Sequence, residues 1–473
     1  MHKPLGTLVS TAVIGVLATG FAHAGAFSLY TESSVVATGN FGAGIAAEAA
    51  DASTGWYNPA GLALIHNQQA VFGGVGVFPT AELTGSSTFR TPPLPNFVQT
   101  YNGLSGGENG FVPSFHYALP LGENATFGLS VVAPFGLATD WGMDSPVRYE
   151  ATFTELLTTN ISPQIGAKVN ENFAVGAGID LQYARVKFNR ILGFPTIVGP
   201  VTPGAVDSLS YNKGDSYGVG FHAGVMGMFN DTHTRIGVNY QSKMRHQFHG
   251  YSQLTGKLAA PGVNIFLPAT VLAADPLAFR RANDLNSNSI QLPDVVTLSG
   301  YHDLNDTFAV LGSVVYTGWN SFQRIQLNNV VAPSISGGGA ITLASVNSSS
   351  PQNYNDVWRA AIGANYRVNS DLLLRVGGGY DATPTNDIDR DVRLPDADRW
   401  ALSVGAHYQM RPAVGFDVGY THLFGADDPT VNRTDPLGAT ASYSVNAIGK
   451  VNADIVGAQV VWTIDQVPEA PMK

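Results

Sequence analysis

Few residues in this chain are of a type and spacing that could do covalent chemistry. There is no cysteine, which removes thiolate nucleophiles, thiolate metal sites and disulfides together. His116, His222, His302 and His407 fall on separate segments, no G-x-S-x-G accompanies them, and no His/Glu spacing would hold a metal. A nucleophile needs a base within hydrogen-bond reach. None is suggested, so a histidine such as His222 reads as a hydrogen-bonded structural residue. No catalytic residue, metal ligand or cofactor contact is expected.

Binding chemistry is better represented. In Tyr183-Ala184-Arg185-Val186-Lys187-Phe188-Asn189-Arg190, Arg190 has the parity of Asp180 and Gln182, and Phe188 shares it. A guanidinium on that face can donate two parallel hydrogen bonds to a carboxylate, or it can pair with an acidic neighbour such as Asp180 or stand at a rim. Arg185 and Lys187 have the opposite parity and lie beyond Tyr183, at the level of lipid phosphates. A second candidate is Ala133-Pro134-Phe135-Gly136. Pro134 cannot donate to a strand ladder and Gly136 weakens a strand further, so the pattern means an interrupted strand or one that ends at Ala133. A third is the apolar run Ala259 to Leu267, with Phe266 and Leu267, which either catches an apolar ligand or folds over an opening.

These parities have meaning only in strands, and the chain from about Gln69 alternates with period two. Val175, Ala177, Ile179, Leu181 and Tyr183 oppose Gly176, Gly178, Asp180, Gln182 and Ala184. Tyr217 to Val225, Leu372 to Asp381 and Val414 to Thr421 repeat the register. One uniformly apolar face opposite a polar, glycine-rich one suits a wall between lipid and a filled interior. Charged residues are only 13% of the 473, mean hydropathy is close to zero, and after the first two dozen residues no apolar run reaches the ~18 needed for a spanning helix. Six short polar turns, at 122–124, 170–172, 230–232, 304–306, 369–371 and 410–412, alternate with seven longer segments near 80–111, 140–149, 191–214, 254–288, 330–353, 385–397 and 426–450. Thirteen connections predict fourteen strands, an even number with short turns on one side, as in bacterial outer-membrane barrels. The expected class is all-β, a 14-stranded antiparallel transmembrane β-barrel over residues 67–464, in the bacterial outer membrane. A soluble β-helix or multi-sandwich would not need so uniform an apolar face.

Residues 1–24 have the marks of a secretory signal, with Lys3, the apolar Leu8 to Leu17 and the cleavage pattern Ala22-His23-Ala24. Without them the net charge of −10 becomes −11, which disfavours nucleic acid as a partner. Residues 25–66 are rich in small residues and cannot build a wall, but they can pack inside one. Within them Asn58-Pro59-Ala60-Gly61 is turn chemistry. Residues 465–473 form a polar tail.

Asp51 to Gly61, with Asn58, Pro59 and Ala60, resembles the N-terminal hatch of the FadL family of outer-membrane transporters of long-chain fatty acids and aromatic hydrocarbons. Ala133 to Thr139 is similar to the family's third strand and Tyr183 to Arg190 to its fifth. Thr317 to Phe322, Asp356 to Arg359 and Leu394 to Arg399 resemble later strands. The resemblance implies that residues 25–66 plug the barrel. It implies that apolar ligands are caught under the loops 191–214 and 254–288, where Phe266 and Leu267 lie, and are held in a pocket with Arg190, Phe188 and Phe135. It also implies release sideways through a wall gap at Pro134, Phe135 and Gly136. Arg190 corresponds to a carboxylate-binding arginine of the fatty-acid members. Their lysine before the Asp-x-x-Arg strand has no counterpart here, since 345–358 holds no lysine or arginine. Arg375 is the candidate for a second cation, and neutral aromatic or aliphatic hydrocarbons stay open as ligands. The expected partners are hydrophobic small molecules and outer-membrane lipid, including lipopolysaccharide, with the protein a monomer. A general porin would instead need an open, charged lumen.

Overall fold

The computed structural model describes residues 26–196, 203–437 and 440–465. The expected signal segment 1–24 lies outside these, as does the expected tail apart from Asp465. The wall strands are β1 Gln69–Arg90, β2 Gly110–Pro120, β3 Ala125–Val132 continued by Gly136–Asp140, β4 Phe153–Asn170, β5 Phe173–Leu192 and β6 Ser208–Phe229. Then come β7 Thr234–Gln241 continued by His249–Gly256, β8 Phe279–Ser287 continued by Val295–Asn305, and β9 Phe308–Thr317. The last are β10 Val357–Arg367, β11 Leu372–Asp381, β12 Arg399–Arg411, β13 Val414–Gly425 and β14 Ser442–Thr463. Each pairs antiparallel with the next, and β1 meets β14 from Gln69↔Thr463 to Arg90↔Ser442, closing a 14-stranded antiparallel barrel. Closure leaves no edge strand, the condition for a sheet to cross a bilayer.

All six short turns connect strands as expected. Several of the segments read as long loops are instead strand for much of their length. β1 rises to Arg90 and is joined there by Phe97–Ser105; β5 and β6 extend into 191–214; 324–351 is a hairpin of Arg324–Ile335 with Ile341–Pro351. Above the bilayer neither face needs to be apolar, so period-two hydrophobicity fades while the backbone ladder continues.

The outward face is apolar where lipid would lie. Ile179, Leu181, Val219 and Phe221 are 54, 48, 69 and 52% exposed. This band ends on a motif repeated on four hairpins: an outward tyrosine on the ascending strand bonds a carboxylate on the descending one. The pairs are Tyr183–Asp215, Tyr316–Asp356 at 2.8 Å, Tyr380–Asp398, and Tyr420–Asp454 at 2.7 Å. In each, the aspartate lies two residues beyond the tyrosine's cross-strand partner: Tyr217, Trp358, Trp400 and Val456. A ring with a polar tip belongs at a membrane–water boundary.

The lumen holds residues 26–65, with α1 Val35–Asn40, α2 Thr54–Tyr57 and a 3-10 turn Pro59–Leu64, nearly all buried. The inward glycines explain how the segment fits. A Cβ at Gly176 would strike the Pro59 backbone, at Gly237 the Ala46 carbonyl, and at Gly377 the Asn40 carbonyl. The segment's polar groups are satisfied by the wall: Val35 N–H donates to Gln459 Oε1 (3.1 Å), Gly44 N–H to Ser313 Oγ (2.8 Å) and Ala46 N–H to Ser299 Oγ (3.1 Å). Asn58 caps the 3-10 turn through Ala60 N–H (3.1 Å) and donates to the Ala46 and Val225 carbonyls. The predicted turn is thus a capped helical turn at the periplasmic end of the lumen.

Candidate functional site

The ladder between β2 and β3 runs to Phe115↔Val131, stops, and resumes at Gly107↔Thr139 in the same register. The interruption contains Pro134 and Gly136 on one edge and Pro113 on the other. Pro113, in Phe111-Val112-Pro113-Ser114, is a second non-donor, and its position beside the break depends on the pairing of β2 with β3. Residues 27–29 occupy the break. Leu29 N–H donates to the Pro134 carbonyl (2.8 Å) and Gly136 N–H to the Phe27 carbonyl (2.9 Å). On the other side, Thr158 Oγ accepts from Phe135 N–H at 2.9 Å.

Phe27 is 3% exposed and is enclosed by rings: Trp319 at 4.6 Å, Phe322 at 5.3 Å and Phe135 at 6.1 Å between centroids. Its ring is also one wall of a narrow cavity of about 50 Å³. The other walls come from Leu137, Leu156, Val186, Phe188, Phe248, Ile290, Leu292, Phe322, Ile325 and Tyr354, with few polar atoms, and Asp391 and Arg393 stand at its edge. Toward the outside a second cavity of about 50 Å³ shares Phe188, Ile325 and Arg393 with the first and adds Arg190, Asn212, Ser348 and Ser350. Toward the wall break a third, of about 30 Å³, is lined by Ser28, Leu29, Trp56, Pro134, Phe135 and Met244. Residues 27–29 therefore divide the apolar cavity from the one beside the break.

The electrostatics of the outer cavity are unusual. Six buried arginines each have a carboxylate within 4.0 Å: Arg148 with Asp207, Arg359 with Asp381, Arg375 with Asp417, Arg390 with Asp387, Arg399 with Asp396, and Arg433 with Asp435. Arg190 and Arg393, half-buried at the junction of the two cavities, have none among the described residues. Arg393 donates only to neutral oxygens, the Glu150 carbonyl and Thr154 Oγ at 3.4 Å. Glu150 lies close by, buried, with Oε1 accepting from Val392 N–H (3.2 Å). Burial, and then Asp391 and Asp435, push its carboxyl up to about 8. At neutral pH it is uncharged, so the nearest charged carboxylates are Asp435, which acts on Arg190 from beyond ion-pair distance, and Asp391, on the same cavity as Arg393; both already serve Arg433.

Of the residues singled out in the sequence, Arg190 and Phe188 come together at this junction. Phe135, Pro134 and Gly136 come together at the break. Arg375 lines none of these three cavities but a separate, polar one with Glu48, Arg235 and Asp371; it is bound to Asp417 (2.8 Å) and approaches Glu48 (3.9 Å), and the cation that shares a cavity with Arg190 is Arg393. Asp180 does not pair with Arg190 but bonds His222 (3.0 Å), Ser162 and Asn160. His222 is a structural group, its other nitrogen meeting Gln164 at 2.9 Å. Phe266 and Leu267 line none of the three cavities. They stand 60 and 54% exposed on the 254–288 loop, next to α3 Pro268–Ala273. Much of the remainder of that loop's apolar run, Ala259, Ala260 and Val263, is buried in a small core with Val206, Leu254, Leu258 and Val331. Arg393 and Glu150 carry no periodic signal, being on loops; the one trace of Arg393 is the charge density of 385–399 in a chain this poor in charge, and Glu150 has none.

The family described as outer membrane protein transport protein (OMPP1/FadL/TodX) matches residues 15–463. A long-chain fatty acid transport protein of Escherichia coli O6:H1 is 26% identical over 463 residues, covering 95% of this chain and 97% of the relative. Outer membrane protein P1 of Haemophilus influenzae Rd is 27% identical, covering 94% and 97%. Among solved structures, a Pseudomonas aeruginosa FadL homologue superposes with TM-score 0.74 at 22% identity, over 94% of this chain and 99% of the other. The Pseudomonas putida toluene transporter TodX superposes with TM-score 0.64 at 15% identity, over 93% and 100%. With its closed fourteen-strand wall, filled lumen and match over nearly the whole length, this chain belongs to the OMPP1/FadL/TodX family of outer-membrane transport proteins.

Proposed function

We propose that this protein takes up long-chain fatty acids or closely related acidic lipids, and that residues 25–66 act as a hatch. Phe266, Leu267 and the outer loops make first contact with an apolar chain. The carboxylate settles between Arg190 and Arg393, and the chain enters the apolar cavity past Phe188. Displacement of residues 27–29 then joins that cavity to the one beside Pro134 and Phe135, and the ligand leaves sideways into the bilayer through the β2–β3 break. A lateral exit keeps the chain out of water, where each exposed CH₂ costs ~0.8 kcal/mol. The observation that carries the acidic ligand is the pair of guanidiniums without carboxylate partners above an apolar chamber. The name of the E. coli relative, a long-chain fatty acid transport protein, agrees with it.

A second reading, import of neutral aromatic or aliphatic hydrocarbons by the same route, is favoured by the aromatic lining around Phe27 and by the fold shared with the toluene transporter. Binding of oleate and of toluene to the purified protein separates the two. Arg190→Ala, and independently Arg393→Ala, should weaken oleate by about 1.5–3 kcal/mol, roughly 10- to 150-fold, as for a lost charge-assisted hydrogen bond. Toluene should be unaffected. Oleate binding unchanged in both variants would remove the carboxylate site and leave the neutral reading.

A further inference from the structure

The outer wall carries a cationic shelf, away from the lumen. On β5 and β6 the Tyr183–Asp215 pair marks the top of the lipid band. The next outward residues are cationic: Arg185 and Lys187 on β5, and Lys213 on β6. Lys187 stands directly across the ladder from Lys213. Like charges in that position repel and destabilise a sheet. One buried carboxylate, Glu155, serves both Arg185 (2.7 Å) and Lys187 (2.9 Å). Lys213 has no carboxylate within ion-pair distance among the described residues. The array continues outward onto β7 and β8. Tyr251, the cross-strand neighbour of Lys213, stacks on Tyr211 at 5.8 Å and 27°, and the Arg281 guanidinium lies 3.7 Å over the Tyr251 ring.

Below this shelf the wall is apolar and well exposed, through Tyr217 at 81% and Val219 at 69%. Acyl chains can lie along such a wall while an anionic headgroup sits on the shelf, about 13 Å along the tilted strands from the girdle at 3.3 Å per residue, or roughly 10 Å in height. Four cations against two carboxylates, with two lysines face to face, favour an anion that bridges them. Phosphate does so with several acceptor oxygens and accepts from lysine and arginine alike.

We infer that the Lys187–Lys213–Arg281 shelf is a docking site for the phosphorylated glycolipid of the outer leaflet, with the lipid A phosphate between the lysines and its acyl chains on the β5–β7 wall. The test uses the full-length protein in detergent. Native mass spectrometry would measure occupancy by bisphosphorylated lipid A and by the same lipid without phosphates. The comparison is between wild type, the variant Lys187→Gln/Lys213→Gln/Arg281→Gln, and Lys450→Gln, which lies on β14 across the barrel. The triple variant should lose bisphosphorylated lipid at least about tenfold, equivalent to ~1.4 kcal/mol. Lys450→Gln should match wild type, and the phosphate-free lipid should bind all three alike and weakly. Retention of bisphosphorylated lipid by the triple variant would overturn the inference. So would equal binding of the phosphate-free lipid to wild type, which would mean an apolar contact only. If the triple variant loses the heat-modifiable gel shift of a folded barrel, Lys213→Gln alone decides, with a loss of several-fold expected and unchanged occupancy refuting.

Discussion

Ser28 and Phe135 face each other across the short ladder that seals the wall break. The bonds Leu29 N–H to Pro134 O and Gly136 N–H to Phe27 O lie on either side of them, which makes them a non-hydrogen-bonded antiparallel pair. Such pairs bring Cα atoms to ~4.5 Å, inside the range a disulfide accepts. Because the chain has no cysteine, Ser28→Cys/Phe135→Cys introduces one defined cross-link. Without it, freeing residues 27–29 costs two backbone hydrogen bonds, about 0.5–1.5 kcal/mol each. Exposing the Phe27 ring costs about 1.5–3 kcal/mol more. The sum of about 2.5–6 kcal/mol leaves the segment displaced in roughly one molecule in 10² to 10⁴, rare enough to keep the wall sealed and frequent enough for transport. The disulfide removes that population. Uptake of labelled ligand by cells carrying the variant should be abolished under oxidising conditions and recover on adding a reductant. Wild-type uptake by a fully cross-linked protein would show that residues 27–29 need not move, and the proposed exit would fail.

Three further outcomes are expected. Pro134→Val/Gly136→Val should complete the β3 ladder and press on Leu29, whose Cδ1 would lie 2.9 Å from a new Cβ at 136; uptake should fall while the barrel stays folded, and unchanged uptake argues against lateral release. Glu150 keeps its proton to about pH 8 instead of about 4.5, so its ionisation opposes the folded state progressively as pH rises from about 4.5 to 8 and fully above that. Oleate affinity should therefore decline above about pH 8 as a carboxylate appears beside Arg190 and Arg393, and Glu150→Gln should erase that decline; a variant with the same pH profile as wild type refutes the assignment. Gly176→Val should drive a side chain into the Pro59 backbone, costing the docked segment about 1–3 kcal/mol by overpacking, and planar-bilayer conductance should rise above that of wild type; an unchanged, closed trace would mean the segment does not block the lumen.

The wall was legible because two physical constraints act on every residue of it. Lipid demands an apolar partner at each second position and short periplasmic turns demand Asn, Asp and Gly, so the membrane-level parts of β5 and β6 and the turns that join them below are legible, but not the start of β6 at Ser208. Parity alone then put Arg190 and Phe188 inside, next to one another. Above the bilayer the first constraint lapses, and strands such as the upper half of β1 and the 324–351 hairpin look like loops. Arg393 and Glu150 were illegible for a different reason. Their positions depend on loops from distant parts of the chain meeting over the barrel, and nothing local in Asp391-Val392-Arg393 or in Tyr149-Glu150 records that meeting. Arg375 shows the converse error: a charged residue of interior parity was taken for a ligand group, whereas Asp417 on a strand 42 residues away already neutralised it.

The contacts of residues 26–65 also constrain how the protein is made. Val35 bonds a side chain 424 residues away and Ala26 one 370 residues away, while Gly44 and Ala46 depend on β9 and β8. The segment made ahead of every wall strand is thus the part whose partners are completed last. Contacts of such long sequence separation form slowly, so the segment cannot template the early strands. It must be carried, unpaired, until β14 zips against β1, and an assembly machine that closes the cylinder has to do so around it. A barrel of this kind inserted without its N-terminal residues should close as readily and be born open.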